Sequence, residues 1–139
     1  MNVDWVIPCR YVEVHDNLGS MIGAGIDTFW VPELPAALQV LCAVRLTATA
    51  EELTAGMSHQ MRNVVTDPAG NVVSDVGGEF EIGTENPRRE WLNGIVLPSA
   101  IQFEATIAGT YQLEHIVDAD SKSIPLHVVE GQLDEDGDV

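Results

Sequence analysis

At 139 residues, 45% of them apolar, the chain is one domain's worth and can bury a single core without staples. Six Lys and Arg against 22 Asp and Glu give a net charge of -16. A nucleic-acid or anionic-membrane binder needs clustered cations, so this balance argues against both partners; steering toward a basic protein remains compatible with it.

The opening stretch MNVDWVIPCR has no basic start and no unbroken apolar run, because Asp4, Pro8 and Arg10 interrupt it. No later stretch approaches the roughly 18 apolar residues of a membrane helix. A cytoplasmic protein is expected. In that compartment Cys9 and Cys42, each set in apolar alternation with no CxxC or zinc spacing, read as buried free thiols.

In chain order, residues 3–15 read as one long or bent strand, with Val3, Trp5, Ile7, Cys9 and Tyr11 in one phase and Val12 and Val14 in the other. Pro8 marks a bulge, an edge or a switch between sheets, since it has no N–H to give a ladder. HDNLGS supplies a turn. The stretch 21–31 reads as a second strand, with Ile22, Ala24 and Ile26 on one face and Gly23 and Gly25 on the other. The segment 37–46 alternates Leu38, Val40, Cys42, Val44 and Leu46 and carries extra apolar residues between them, the pattern of a central, well-covered strand. TATAEELTAG is an excursion or loop.

Residues 56–82 give the clearest hairpin. Met57, His59, Met61 and Val65 alternate with polar residues up to DPAGN, where Pro68 fixes φ and Gly70 or Asn71 takes the left-handed position. TENPRREWLNG is a connection with room for one helical turn, expected to deliver Trp91 and Leu92 to the core. A strand near Phe103, Ala105 and Ile107 precedes a last hairpin over 109–131. If both apolar sets of that hairpin face inward, opposed residues have numbers of odd sum, most simply Val117 with Ile124. His115 then faces Leu126, Glu114 faces His127, and the two histidines lie on opposite sides of the sheet. Asp118 and Asp120 become turn residues, and no metal site is expected there because ligands must converge within about 2.1 Å of one ion.

The expected fold is therefore all-β: a two-sheet antiparallel sandwich, immunoglobulin-like or jelly-roll-like, of seven or eight strands with at most one short helix. The domain occupies 1–131. Residues 132–139, acidic and nearly without apolar side chains, read as a flexible tail.

SHQMRNVVTDPAGNVV (58–73), followed after a spacer by GTYQLEHIVDADSKSIPLHV (109–128), resembles a set of small uncharacterised bacterial and phage-borne β-sandwich proteins known only as a domain of unknown function. In these, a strand ending in Asp-x-x-Gly and a later Gly-x-Tyr strand recur, and the resemblance spans residues 2–130. It implies a sandwich and supplies no catalytic residues. The Gly-x-Tyr element also resembles immunoglobulin-like and carbohydrate-binding sandwiches, in which the tyrosine packs at a sheet corner.

Catalytic patterns are thin. Ser58 and His59 are adjacent on a strand and so point to opposite faces. Glu51 with Glu52, and Glu79 with Glu81, read as solvated charge. DEDGD near the end has the wrong register for a calcium loop, and GSMIGAG lacks the Lys and helix of a phosphate-cradling loop. No cofactor is expected. The leading reading is a non-catalytic interaction or assembly module, of the kind a phage or mobile element encodes, that binds another protein or itself through a sheet edge or loops. Its candidate contact is Arg88, Arg89 and Trp91, the one place where two adjacent cations, an aromatic and a turn coincide. The alternatives are a small-ligand or carbohydrate-binding sandwich using Trp30 or Trp91 and, less favoured, a hydrolase with an unrecognised site.

Overall fold

The computed structural model describes residues 1–54, 56–84 and 86–131, and the expected acidic tail at 132–139 lies outside them. Among the described residues the chain is all-β, with ten strands and no helix. The strands are β1 (Asn2–Cys9), β2 (Tyr11–His15), β3 (Leu18–Ile22), β4 (Thr28–Val31), β5 (Ala36–Ala48), β6 (Ser58–Thr66), β7 (Val72–Glu81), β8 (Asn93–Ala105), β9 (Gly109–Val117) and β10 (Asp120–Glu130). A five-stranded sheet ordered β4-β10-β9-β6-β7 packs on a three-stranded sheet ordered β1-β5-β8, and β2 with β3 forms a separate ribbon.

Ten strands in three sheets replace the expected seven or eight in two. The difference arises where the chain breaks its own alternation. Between Cys9 and Tyr11 the chain leaves the β5 ladder at Arg10, so the expected long strand becomes β1 plus β2. Gly23 and Gly25 adopt left-handed φ (65° and 86°), which stops β3 and splits the expected second strand into β3 and β4. The sheets are not wholly antiparallel either, because β4 runs parallel to β10. The 83–92 connection holds bends and no helical turn among its described residues.

Both long hairpins form. Asp67 closes the β6–β7 turn, its Oδ1 accepting from the N–H groups of Ala69 and Asn71, with Gly70 at φ 89°. In the β9–β10 hairpin Val117 pairs with Asp120, not Ile124, so His115 faces Lys122 and His127 faces Thr110. The expected hairpin had the right parity but too long a loop; a two-residue connection through Asp118 (φ 51°) suffices. Parity decides the faces: His115 is buried in the core, and His127 is on the other side of the sheet.

The core lies between the two larger sheets. Val40, Cys42, Val44 and Leu46 of β5 meet Tyr111, Leu113 and Val117 of β9 and Leu126 and Val128 of β10. Tyr111 is fully buried where the chain crosses from β8 to β9. Its Oη donates to the carbonyl of Ile107 at 2.8 Å and lies 3.5 Å from the Ile107 N–H, the corner arrangement expected of this tyrosine. Outside the core, the β2–β3 ribbon covers part of the three-stranded sheet, packing on β5 and β8. It can lie close because Gly19 has no side chain: a Cβ there would stand 3.2 Å from Val96 Cγ1. Pro8 stands opposite Cys42 and Cys9 opposite Leu41, which puts the two buried thiols on opposite faces of this sheet, and both are free.

Candidate interaction surface

Asn93, the first residue of β8, organises the loop that carries the three candidate residues. Its Oδ1 accepts from the Arg88 N–H, and its Nδ2 donates to the Arg88 carbonyl, both at 2.9 Å, with a longer bond to the Ala48 carbonyl. A single amide thus closes the segment 88–93 on itself and ties it to the end of β5. The side chains between are turned outward. Trp91 is 62% exposed and Leu92 is also exposed, which corrects the expectation that this loop delivers both to the core. The physical reason is that the core at this end is already filled by Leu46, Ala48, Leu53 and Ile95.

The Arg88 guanidinium lies 5.9 Å from the centroid of the Trp91 ring, within cation–π range. Arg88 and Arg89 are exposed and, with Asn86, Pro87 and Glu90, line a shallow depression of 610 Å³. Among the described residues no carboxylate pairs with either, whereas Arg45 is bonded to Asp4, and Arg62 makes a two-pronged contact with Asp75 at 2.7 and 2.6 Å. Of the two neighbouring glutamates able to neutralise them, Glu90 pairs with neither and Glu85 lies outside the described residues.

The turn of the β2–β3 ribbon reaches the same end of the sheet. The Asn17 side chain donates to the Gly94 carbonyl at 2.6 Å and accepts from the Val96 N–H at 2.8 Å. Leu18, next to it, is exposed, as are Tyr11 and Ile22, which form a cross-strand pair on the outer face of the ribbon. Exposed Leu18, Trp91 and Leu92 therefore lie toward the start of β8, whereas Tyr11 and Ile22 are at the far end of the ribbon. In the sequence only the loop stands out, because an exposed face of a short ribbon has the same alternation as a buried one.

Two buried polar groupings also went unforeseen. Asp118 and Asp120 do not serve only their own turn. Asp118 Oδ1 accepts from the Gln60 N–H at 3.0 Å and its Oδ2 lies 2.9 Å from His59 Nδ1, while Asp120 Oδ2 accepts from the Val3 N–H at 2.8 Å. They pin the hairpin to β6 and β1. The carboxyl of Asp118 is subject to burial, which acts to raise its pKa, but the Gln60 and His59 bonds outweigh this and hold it below the usual carboxylate range. His59 is buried, and its Nε2 bonds the Glu52 carbonyl at 2.8 Å, so in this arrangement neither ring nitrogen is open to a nucleophile. Ser58 is exposed on the other face, as expected.

Deeper in the core, His115 Nδ1 donates to Asn63 Oδ1 at 2.5 Å, and Asn63 Nδ2 reaches Ser99 Oγ of the facing sheet at 3.4 Å. His115 Nε2 has no partner, and burial pushes the pKa of the ring down. Among the described residues no group of three His, Cys, Asp or Glu side chains converges as a metal site. No helix there is long and apolar enough to cross a membrane. The chain matches no model of a known protein family and no curated protein.

Proposed function

We propose that the protein is a non-catalytic interaction module, an immunoglobulin-like sandwich that binds another protein through the loop carrying Arg88, Arg89 and Trp91. The observation that carries this reading is the exposed Trp91 ring with the Arg88 guanidinium beside it. Arg and Trp are the side chains that most often anchor interfaces. An exposed apolar side chain also forgoes the roughly 1.5–3 kcal/mol that burial of a residue such as Leu92 contributes, a gain that a partner restores. The buried Tyr111 corner supports the immunoglobulin-like reading of the sandwich, and the resemblance to small phage-borne sandwich proteins fits an assembly role in the cytoplasm. The engaged nitrogens of His59 support a non-catalytic reading.

A carbohydrate-binding surface is the second reading, because it too requires an exposed indole. It is the weaker one, since Trp30 is half-buried on β4, at the opposite edge of the sandwich, and gives Trp91 no companion. The test is the double variant Arg88→Glu, Arg89→Glu beside Trp91→Ala, with folding checked by circular dichroism. A photo-crosslinking residue at position 92 should capture one protein that both variants fail to capture. Capture unchanged in both variants removes the loop from consideration, and binding of oligosaccharides that only Trp91→Ala abolishes favours the second reading.

A further inference from the structure

The two facing sheets are unequal, and the mismatch leaves a place for one more strand. β8 pairs with β5 along its whole length and has no ladder partner on its other side among the described residues. Asn17 shows which backbone groups point to that open side: its amide takes the Gly94 carbonyl and the Val96 N–H, so the even-numbered groups of β8 face away from β5. A side-chain amide here does what a neighbouring strand would do. Beyond it comes Pro98, which has no N–H, and then Ala100, Gln102 and Glu104, each presenting one N–H and one carbonyl to the open edge.

The opposite sheet extends past this edge. Val76 of β7 pairs with Asn63, whose side chain reaches across to Ser99 of the facing sheet, so Val76 is on the core side of its sheet. Yet it is 67% exposed, because β8 is the last strand above it. Between them lies a cleft of 210 Å³ lined by Asn63, Ser74, Val76, Ala100, Ile101 and Gln102. A strand laid along 100–104 would pair with the free backbone and set every second side chain over Val76. Its other side chains would emerge beside Ala100, Gln102 and Glu104, on a protein of net charge -16.

We infer that the β8 edge accepts an extended segment of a partner protein in which aliphatic residues alternate with Lys or Arg. This rests on the reading of the protein as an interaction module and names a second contact for it. The aliphatic residues match Val76 and the cleft, and the cations match Glu104 and the acidic surface; a second copy of this chain would bring the wrong charge. β7 offers the competing edge, with a depression beside Gly77 and Gly78, but that glycine pair weakens strand pairing, and the depression is lined by Arg62, which disfavours a cationic segment.

The test titrates the isotope-labelled full chain with the capped synthetic peptide Lys-Val-Lys-Val-Lys-Val-Lys, following backbone amide shifts and hydrogen exchange. Expected are shifts and slowed exchange at Ala100, Gln102 and Glu104 with a shift at Val76. Binding should weaken by at least about tenfold for Val76→Asp, which sets an unpaired carboxylate against the aliphatic side chains. It should be lost with Glu in place of Lys in the peptide, or with Pro in place of both the central Val and the Lys after it, which removes a ladder N–H whichever way the segment runs. Perturbation confined to β7, equal binding of the Pro peptide, or no binding overturns the inference. Arg88→Glu with Arg89→Glu should leave peptide binding intact, so failure at the β8 edge is separable from failure of the loop interface.

Discussion

Nδ1 of His59 lies 2.9 Å from Oδ2 of Asp118, joining the start of β6 to the turn of the β9–β10 hairpin 59 residues away in sequence. Because Asp118 also takes the Gln60 N–H, removing its carboxylate strands a backbone donor and a buried ring nitrogen together. Asp118→Ala should therefore lower the unfolding free energy by about 1–3 kcal/mol, read from urea titrations. The pH dependence follows from the sign of the shift. The folded-state pKa is below the unfolded value of about 3.9, so the contribution is present above that value and is lost as pH falls through the lower folded one. Asp118→Asn should show a shallower loss of stability between about pH 5 and pH 3 than the unaltered protein. Equal slopes would mean that another carboxylate governs acid unfolding.

His115 should make stability acid-sensitive at a higher pH. Burial depresses its pKa, so the folded state resists a proton that the unfolded chain accepts near pH 6.5. The penalty is absent well above that pH and grows as pH falls below it toward the folded-state value. Urea midpoints measured at about pH 7.5 and pH 5.5 should differ, and His115→Phe should narrow the difference while lowering stability at both, since Asn63 Oδ1 then has no donor. Nitrogen NMR of the ring should show the proton on Nδ1 and a bare Nε2, as the bond to Asn63 and the unpartnered Nε2 require. A ring protonated on both nitrogens at pH 7 would contradict this.

What could be read from the sequence was what depends on local alternation. Val40 to Leu46 announced a covered central strand and β5 is that strand; DPAGN announced a turn and Asp67 caps it. The opposite placement of His115 and His127 followed from parity alone, even though the expected register was wrong by four residues in β10, because parity survives any even slip. What could not be read depends on partners distant in sequence. Pro8 leaves a bulge, an edge and a switch between sheets all open, and nothing local says that Asp118 reaches Gln60, or that the core end below Trp91 is already filled by Leu53 and Ile95. Of the site, the loop residues were legible as unusual chemistry, but their exposure was not, and the open edge of β8 required knowing both sheets.

The cysteines should behave as separate, inert thiols. Cys42 has no exposure and burial pushes its pKa to about 12, while burial also raises that of Cys9. A thiol reagent should label both slowly in the folded state and rapidly in urea. Mild oxidant should give no intramolecular crosslink, because Cys9 stands opposite Leu41 and Cys42 opposite Pro8, on the two faces of one sheet. A Cys9–Cys42 disulfide found in peptide maps of folded, oxidised protein would show that β1 can turn over in its ladder.

Asn17 provides the last prediction, because two of its properties can be separated by substitution. Its backbone is left-handed (φ 60°), which Asn and Gly tolerate and Ala resists, and its amide bonds two groups on the open edge of β8. Asn17→Gly keeps the turn and deletes the amide, so its cost measures those two bonds at roughly 0.5–1.5 kcal/mol each, reduced because water can replace them at an exposed site. Asn17→Ala loses the bonds and adds roughly 1–2 kcal/mol of backbone strain. The expected order of stability is Asn above Gly above Ala. The decisive measurement is amide exchange at Val96, which should quicken equally in both variants because both expose the same N–H. Unchanged exchange would show that the ribbon protects β8 by packing, with Gly19 against Val96, and that the amide of Asn17 is incidental to it.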